Sequence, residues 1–239
     1  MKARKLLAIT SWLVLALSIT PLLKAQEIAA KTQVFRYACI DENGRNTDII
    51  ELRVTPNPDG GMEIISTDSL GMHGYARLNA AMLQEEVRIS TSSGALVSFR
   101  LTAPGGSWKT EEDSGNEYSC AGNARLGDRS LFFILPTLID PKKTGDEARF
   151  VLVRTEGGQR ATMRLRAEGI AEVTDYSGKK EWAYRISMGL ADPIGRLFWP
   201  YMYNYYYRVQ DLRFLAYDGP DENKRKSRII LIDAAIPRS

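Results

Sequence analysis

From residue 32 onward, apolar and polar positions alternate with a period of two over short segments separated by turn residues, the pattern of half-buried β-strands. Asp48, Ile50, Leu52 and Val54 alternate with Ile49, Glu51 and Arg53, giving a mainly apolar face and a wetter one. This strand pairs with residues 33–40, because the intervening Asp41-Glu42-Asn43-Gly44 holds an Asn-Gly step that tolerates positive φ and suits a tight hairpin. Further strands are expected at 62–67, 75–78, 86–91, 95–102 and 116–120, then at 149–155, 160–167, 170–175, 182–188, 201–209, 212–217 and 228–235. Between the two sets, Leu131, Phe132, Phe133, Ile134, Leu135, Leu138 and Ile139 cluster around Pro136, so 129–139 reads as a short helix or lid-like segment. Glycine pairs, prolines and Ser177-Gly178 punctuate the strands, and no linker or repeat divides the chain. The expected fold is all-β: a single antiparallel barrel, closed or partly open, with one short helical segment.

The first 25 residues break this pattern. A basic stretch at 1–5, an apolar run at 6–19, the helix-breaking Pro21 and a small Ala25 form a tripartite export signal, with cleavage expected after Ala25. The expected organisation is a signal peptide at 1–25 and one exported β-rich domain at 26–239. Leu23 fits the position three residues before the cut poorly, and the apolar stretch 6–23 reaches about 18 residues, the lower limit of a span. An uncleaved membrane anchor is therefore the alternative. The signal also changes the meaning of the charge. The whole chain carries 32 basic and 29 acidic residues, a formal +3. Lys2, Arg4, Lys5 and Lys24 lie in the signal, which has no acid, so the mature chain has 28 basic residues against 29 acidic ones and a net charge near −1. The basic run Lys224, Arg225, Lys226, Arg228 follows Asp218, Asp221 and Glu222, so nucleic acid is not an expected partner. The expected location is the periplasm.

Export lets the two cysteines, Cys39 and Cys120, pair in an oxidising compartment. Such a bridge would close about 82 residues and stabilise by roughly 4 to 5 kcal/mol on the loop-entropy model. The alternative is two buried free thiols. One histidine and two separated cysteines supply no metal-ligand spacing, so no metal or cofactor is expected.

The most unusual segment is Phe198-Trp199-Pro200-Tyr201-Met202-Tyr203-Asn204-Tyr205-Tyr206-Tyr207, with seven aromatics in ten residues. On a strand, Trp199, Tyr201, Tyr203, Tyr205 and Tyr207 share one face. Each has an apolar body and a polar tip, which suits a cavity wall, a glycan-stacking ladder or a partner surface. Strand and core stabilisation is the other reading of the same rings. A transmembrane barrel with aromatic girdles is disfavoured by charges every few residues in the strands holding Arg149, Arg154, Arg164 and Arg166.

No catalytic constellation stands out. His73 sits between glycines with no Gly-x-Ser-x-Gly elbow. Ser177-x-x-Lys180 and Lys143-Thr144-Gly145 occur in turns, in an order unlike penicillin-binding enzymes. Paired carboxylates for glycan hydrolysis stay open, because such pairing is spatial.

The segments 130–135, 149–167, 179–187 and 211–220, with Tyr217-x-Gly219 near the end, resemble a family of exported bacterial domains of unknown function. The resemblance spans roughly residues 32–236. That family is broadly similar to the open β-barrels of periplasmic lipoprotein carriers and outer-membrane lipoprotein receptors, which implies a curved sheet around an apolar cavity and supplies no catalytic residues. The sequence thus reads as a non-enzymatic envelope protein that binds an apolar or amphipathic molecule, a lipid, lipoprotein or glycan, in the barrel or at its mouth, with Trp199, Tyr201, Tyr203, Tyr205 and Tyr207 as candidate binding residues. An envelope glycan hydrolase and an envelope scaffold are the alternatives. Binding inside the barrel requires a cavity of about 300 Å³ or more beside those rings.

Overall fold

The computed structural model describes residues 31–90, 96–100, 107–109, 117–119, 124–153, 160–221 and 224–235. Fifteen strands lie among these residues, β1 (Gln33–Ile40), β2 (Asn46–Pro56), β3 (Met62–Asp68), β4 (His73–Leu78), β5 (Gln84–Ser90), β6 (Leu96–Arg100), β7 (Ser107–Lys109), β8 (Glu117–Ser119), β9 (Ala124–Leu126), β10 (Glu147–Val153), β11 (Arg160–Thr174), β12 (Lys180–Leu190), β13 (Tyr203–Arg208), β14 (Phe214–Pro220) and β15 (Lys226–Ala235). Thirteen form one sheet in the order β6-β5-β4-β3-β2-β1-β15-β14-β13-β12-β11-β10-β9, and β7 and β8 pair separately. The sheet curls into a nearly closed barrel. Helix α1 (Leu131–Leu138) and helix α2 (Pro193–Phe198) complete the described elements.

Five of the hairpins use one local device. Asp41, Asp68, Asn79, Asp175 and Asp221 each accept a hydrogen bond from the backbone N–H four residues ahead, at 2.8 to 3.0 Å. A short polar side chain can close a turn this way because it replaces a backbone acceptor. Asn43-Gly44 serves as expected, with Gly44 at φ 76°. The expected strands at 160–167 and 170–175 are one strand, β11. Gly169, at φ 90°, forms a bulge that keeps the chain paired with β12.

The antiparallel expectation fails at one pair. β9 runs parallel to β10, with Val151 opposite Ala124 and Val153 opposite Leu126. A parallel pair needs a long crossover, and the segment carrying α1 provides it. The sheet is therefore mixed.

Core residues follow the strand alternation. Phe35 and Tyr37 of β1 oppose Leu52 and Ile50 of β2, and all four are at most 5% exposed. Ile64, Ala76, Leu78, Val87, Phe150, Met163, Leu165, Ile186, Met188, Tyr205, Tyr207 and Phe214 extend the same core around the barrel. Into it packs α1, whose Leu131, Phe132, Ile134 and Leu135 are buried. A helix apolar on nearly every side has to be enclosed. The Phe132 ring stacks on Phe214, with centroids 4.1 Å apart and planes at 15°, and it also meets Tyr37 and Tyr205. Phe133 reaches Phe35 at 6.1 Å.

The polar residues before α1 tie it to both sides. Arg129 Nη2 lies 2.6 Å from Asp68 Oδ2 at the β3–β4 turn. Gln84 of β5 joins β9: Leu126 N–H donates to Gln84 Oε1 at 2.7 Å, and Gln84 Nε2 donates to Leu126 O at 3.2 Å. Gln84 Nε2 also lies 2.7 Å from Asp128 Oδ1 and 2.8 Å from Ser130 Oγ.

Candidate functional site

The aromatic segment divides in two. β13 begins at Tyr203, not at the expected residue 201, because α2 and the residues after it form the link from β12. Asp192 starts this link rigidly: its carboxylate accepts from Ile194 N–H at 3.2 Å and Gly195 N–H at 2.7 Å, and Pro193 fits the first helical turn. Trp199 N–H then donates to Gly195 O at 2.8 Å.

Tyr205 and Tyr207 belong to the sealed interior. They are 5% and 0% exposed. Tyr205 sits 5.3 Å from Tyr217 and Tyr207 sits 5.8 Å from Phe214, centroid to centroid. Burial pushes both phenols up, Tyr207 well above the ordinary value. The Tyr207 hydroxyl is buried without a hydrogen-bond partner. Tyr37 is buried alike, its phenol raised by burial, and its hydroxyl donates to Phe214 O at 3.4 Å.

Trp199, Tyr201 and Tyr203 remain half-buried at the end of the barrel. Trp199 and Tyr201 meet edge to face, centroids 5.1 Å apart and planes at 72°. Trp199 Nε1 donates to Tyr203 Oη at 3.3 Å, and Lys224 Nζ stands 5.0 Å from the centre of the Trp199 ring. Around them, Ile194 is 67% exposed, Leu197 79% and Met202 46%. Three of the five expected residues thus form one connected, half-buried group, with Tyr203 packed against the core, and the other two are sealed inside the core.

Where the expected interior cavity would lie, Phe132 of α1 packs against Tyr205. A crevice of about 240 Å³ lies elsewhere, floored by Val173, Leu215 and Ile230, with Asp175, Glu181, Arg208 and Arg213 among its lining residues. It opens where the β14–β15 ladder stops at Ala216 opposite Ile230. Its two carboxylates are engaged in structure. Asp175 closes the β11–β12 turn, and hydrogen bonds from Ser177 and Lys179 hold its carboxyl below the usual range. Glu181 Oε2 faces Arg208 Nε at 3.3 Å. Ser177, like Lys143, Thr144 and Gly145, falls in a turn as expected, whereas Lys180 is the first residue of β12.

Cys39 is a free, half-buried thiol, pushed up to about 11 chiefly by burial, with Asp48 nearby adding to the rise. The expected bridge is not seen, and its partner Cys120 lies outside the described residues. Among the described residues no cluster of metal-ligating side chains occurs, and no helix is long and apolar enough to cross a membrane.

No family model and no curated protein matches the sequence. Solved structures do. A β-barrel-like protein of the domain of unknown function DUF1849 from Brucella abortus superposes with a TM-score of 0.54 and 10% identity, covering 87% of this chain and 98% of that one. The chain has the barrel fold of a bacterial domain of unknown function. Looser likenesses include the hypothetical lipoprotein YmcC from Escherichia coli, TM-score 0.35 and 7% identity over 90% of this chain and 89% of that one. An outer membrane lipoprotein-sorting protein domain from Vibrio parahaemolyticus gives 0.34 and 5% over 90% of each. The resemblance read from the sequence holds at the level of fold, and fold does not carry function with it.

Proposed function

We propose that the mature chain is a non-enzymatic protein of the bacterial envelope that holds an amphipathic envelope molecule at the mouth of its barrel. One observation carries this reading: Trp199, Tyr201 and Tyr203 form a connected, half-buried aromatic group that runs outward from the core, against which Tyr203 packs, in the same link as exposed Ile194, Leu197 and Met202. Single exposed apolar side chains need no explanation, but a contiguous group does. Indole and phenol rings suit a ligand with an apolar body and a wet end, because their tips keep hydrogen bonds while their faces stack. The mouth is favoured over the interior because α1 already fills the space against Tyr205 and Phe214. Export through the signal at 1–25 places the protein in the periplasm, with an uncleaved anchor as the alternative.

The test is lipid extraction from protein purified out of its envelope fraction without detergent, followed by mass spectrometry. The reading expects one amphipathic class at near-stoichiometric amounts, lost from a folded Trp199→Ala/Tyr201→Ala variant. Equal retention by both proteins, or nothing retained by either, contradicts it.

A further inference from the structure

We infer that the link formed by α2 and residues 199–202 is a docking face for an anionic lipid bilayer. This deepens the mouth reading by naming the surface from which its ligand would come, and it rests on that reading.

The apolar side chains that would enter the bilayer are the outward ones of α2. Ile194 and Leu197 are three positions apart, hence neighbours on one helical face, and they are among the most exposed large apolar residues described. Met202, packed against Gly189, extends the patch. Trp199 and Tyr201 stand behind it with their rings half-buried, the placement such rings take at a membrane–water boundary. The Asp192 cap holds α2 in place, so little order has to be gained on docking.

Charge selects an anionic surface over other occupants. Among the described residues, Lys224 and Lys226 have no carboxylate partner within ion-pair distance, while Arg196 turns its guanidinium back to donate to Ala191 O at 3.1 Å. The described acids near them are engaged: Asp192 caps α2, Asp218 Oδ1 lies 3.3 Å from Arg228, and Asp221 Oδ2 lies 3.0 Å from Arg225, while Glu222 lies outside the described residues. Lys224 stands over the Trp199 ring, joining the cationic hairpin to the apolar patch. An apolar face beside unpaired cations is what an interfacial segment presents to acidic headgroups. A protein partner would need a larger, shape-matched surface, whereas a bilayer accepts irregular side chains.

Sedimentation of the mature chain with vesicles tests this, using phosphatidylcholine alone and phosphatidylcholine in which phosphatidylglycerol replaces about a third. Binding to the anionic vesicles that weakens with salt is expected. Ile194→Ser/Leu197→Ser should lower partitioning by roughly tenfold or more while the folded state is kept, because each buried aliphatic side chain is worth about a factor of ten. Lys224→Gln/Lys226→Gln should abolish the preference for the anionic vesicles. No vesicle binding by the wild type, or binding unchanged in Ile194→Ser/Leu197→Ser, overturns the inference, and so does a protein captured by this face in the absence of lipid. Failure here with extracted lipid still held through Trp199 and Tyr201 leaves the mouth reading standing; loss of extracted lipid with vesicle binding intact does the reverse.

Discussion

Gln84 pairs with Leu126 as one peptide unit pairs with another. Its carbonyl accepts the Leu126 N–H and its amide donates to the Leu126 carbonyl, so a side chain makes the link that a ladder would make between β5 and β9. At 2% exposure, Gln84 does this in a dry place. The barrel therefore closes through an amide on a side chain, one strand inside the β6 edge.

Replacing that amide exposes the value of the seam. Gln84→Leu removes both links and leaves the buried Leu126 N–H without its acceptor, a loss of about 2 to 3 kcal/mol. Urea denaturation at neutral pH checks it. A change within about 0.5 kcal/mol, the scatter of an ordinary surface substitution, would show that the seam does not hold the barrel shut.

Beside Gln84, the Asp128 carboxyl is pushed up to about 6 by burial, against the lowering effect of hydrogen bonds from Ser130 and Gln84. The neighbouring Arg129 gives no full compensation, since its guanidinium is turned to Asp68. A carboxyl raised in the folded state binds its proton more tightly there than in the unfolded chain. Its contribution is present in full below about pH 4 and is lost as pH rises through about 6. Asp128→Asn should therefore gain stability relative to the wild type at pH 7 and little at pH 4. Denaturation midpoints at the two pH values decide it, and an equal offset at both would contradict the assignment.

Phe132 is the side chain that fills the barrel against Phe214, Tyr37 and Tyr205. Phe132→Ala should cost about 3 to 5 kcal/mol by leaving a cavity among rings that cannot close over it. Calorimetry measures the shift. A near-neutral result would mean that α1 is dispensable to the packing of these tyrosines.

The orphaned hydroxyl of Tyr207 makes the opposite prediction. Because it is buried without a partner, Tyr207→Phe should be neutral or stabilising by up to about 1 kcal/mol. Tyr37→Phe, which removes a donor to Phe214 O, should be the more costly of the two. Thermal melts of the pair test the order, and a clear loss for Tyr207→Phe would show that its hydroxyl is satisfied in solution.

Much of this architecture was legible in the chain because strand alternation is a local signal. The first strand, the 41–44 turn and the buried helix around Pro136 follow from residue patterns alone. Three features did not. β9 is only three residues long and pairs in parallel, so neither its period nor its neighbours announce it. Gly169 looked like a strand break, yet positive φ serves a bulge as well as a turn. α2 is six residues long and lacks a buried stripe that repeats, though Asp192-Pro193 was a readable start signal. At the candidate site, alternation placed Trp199 to Tyr207 on one face. It could not show that the chain turns out of the sheet before Tyr203, which separates the half-buried rings from the buried ones. Gln84 gave no sign of its role, since the seam joins residues 42 positions apart.

Trp199 itself offers the most direct measurement of the mouth reading. In a folded variant with Trp108 and Trp182 replaced by Phe, Trp199 is the sole indole of the mature chain. Titration with a lysophospholipid below its micellar concentration should shift the Trp199 emission to the blue and saturate, and Tyr201→Ala should weaken the response. An emission spectrum unmoved by the amphiphile, or a response indifferent to Tyr201, would contradict binding at the barrel mouth.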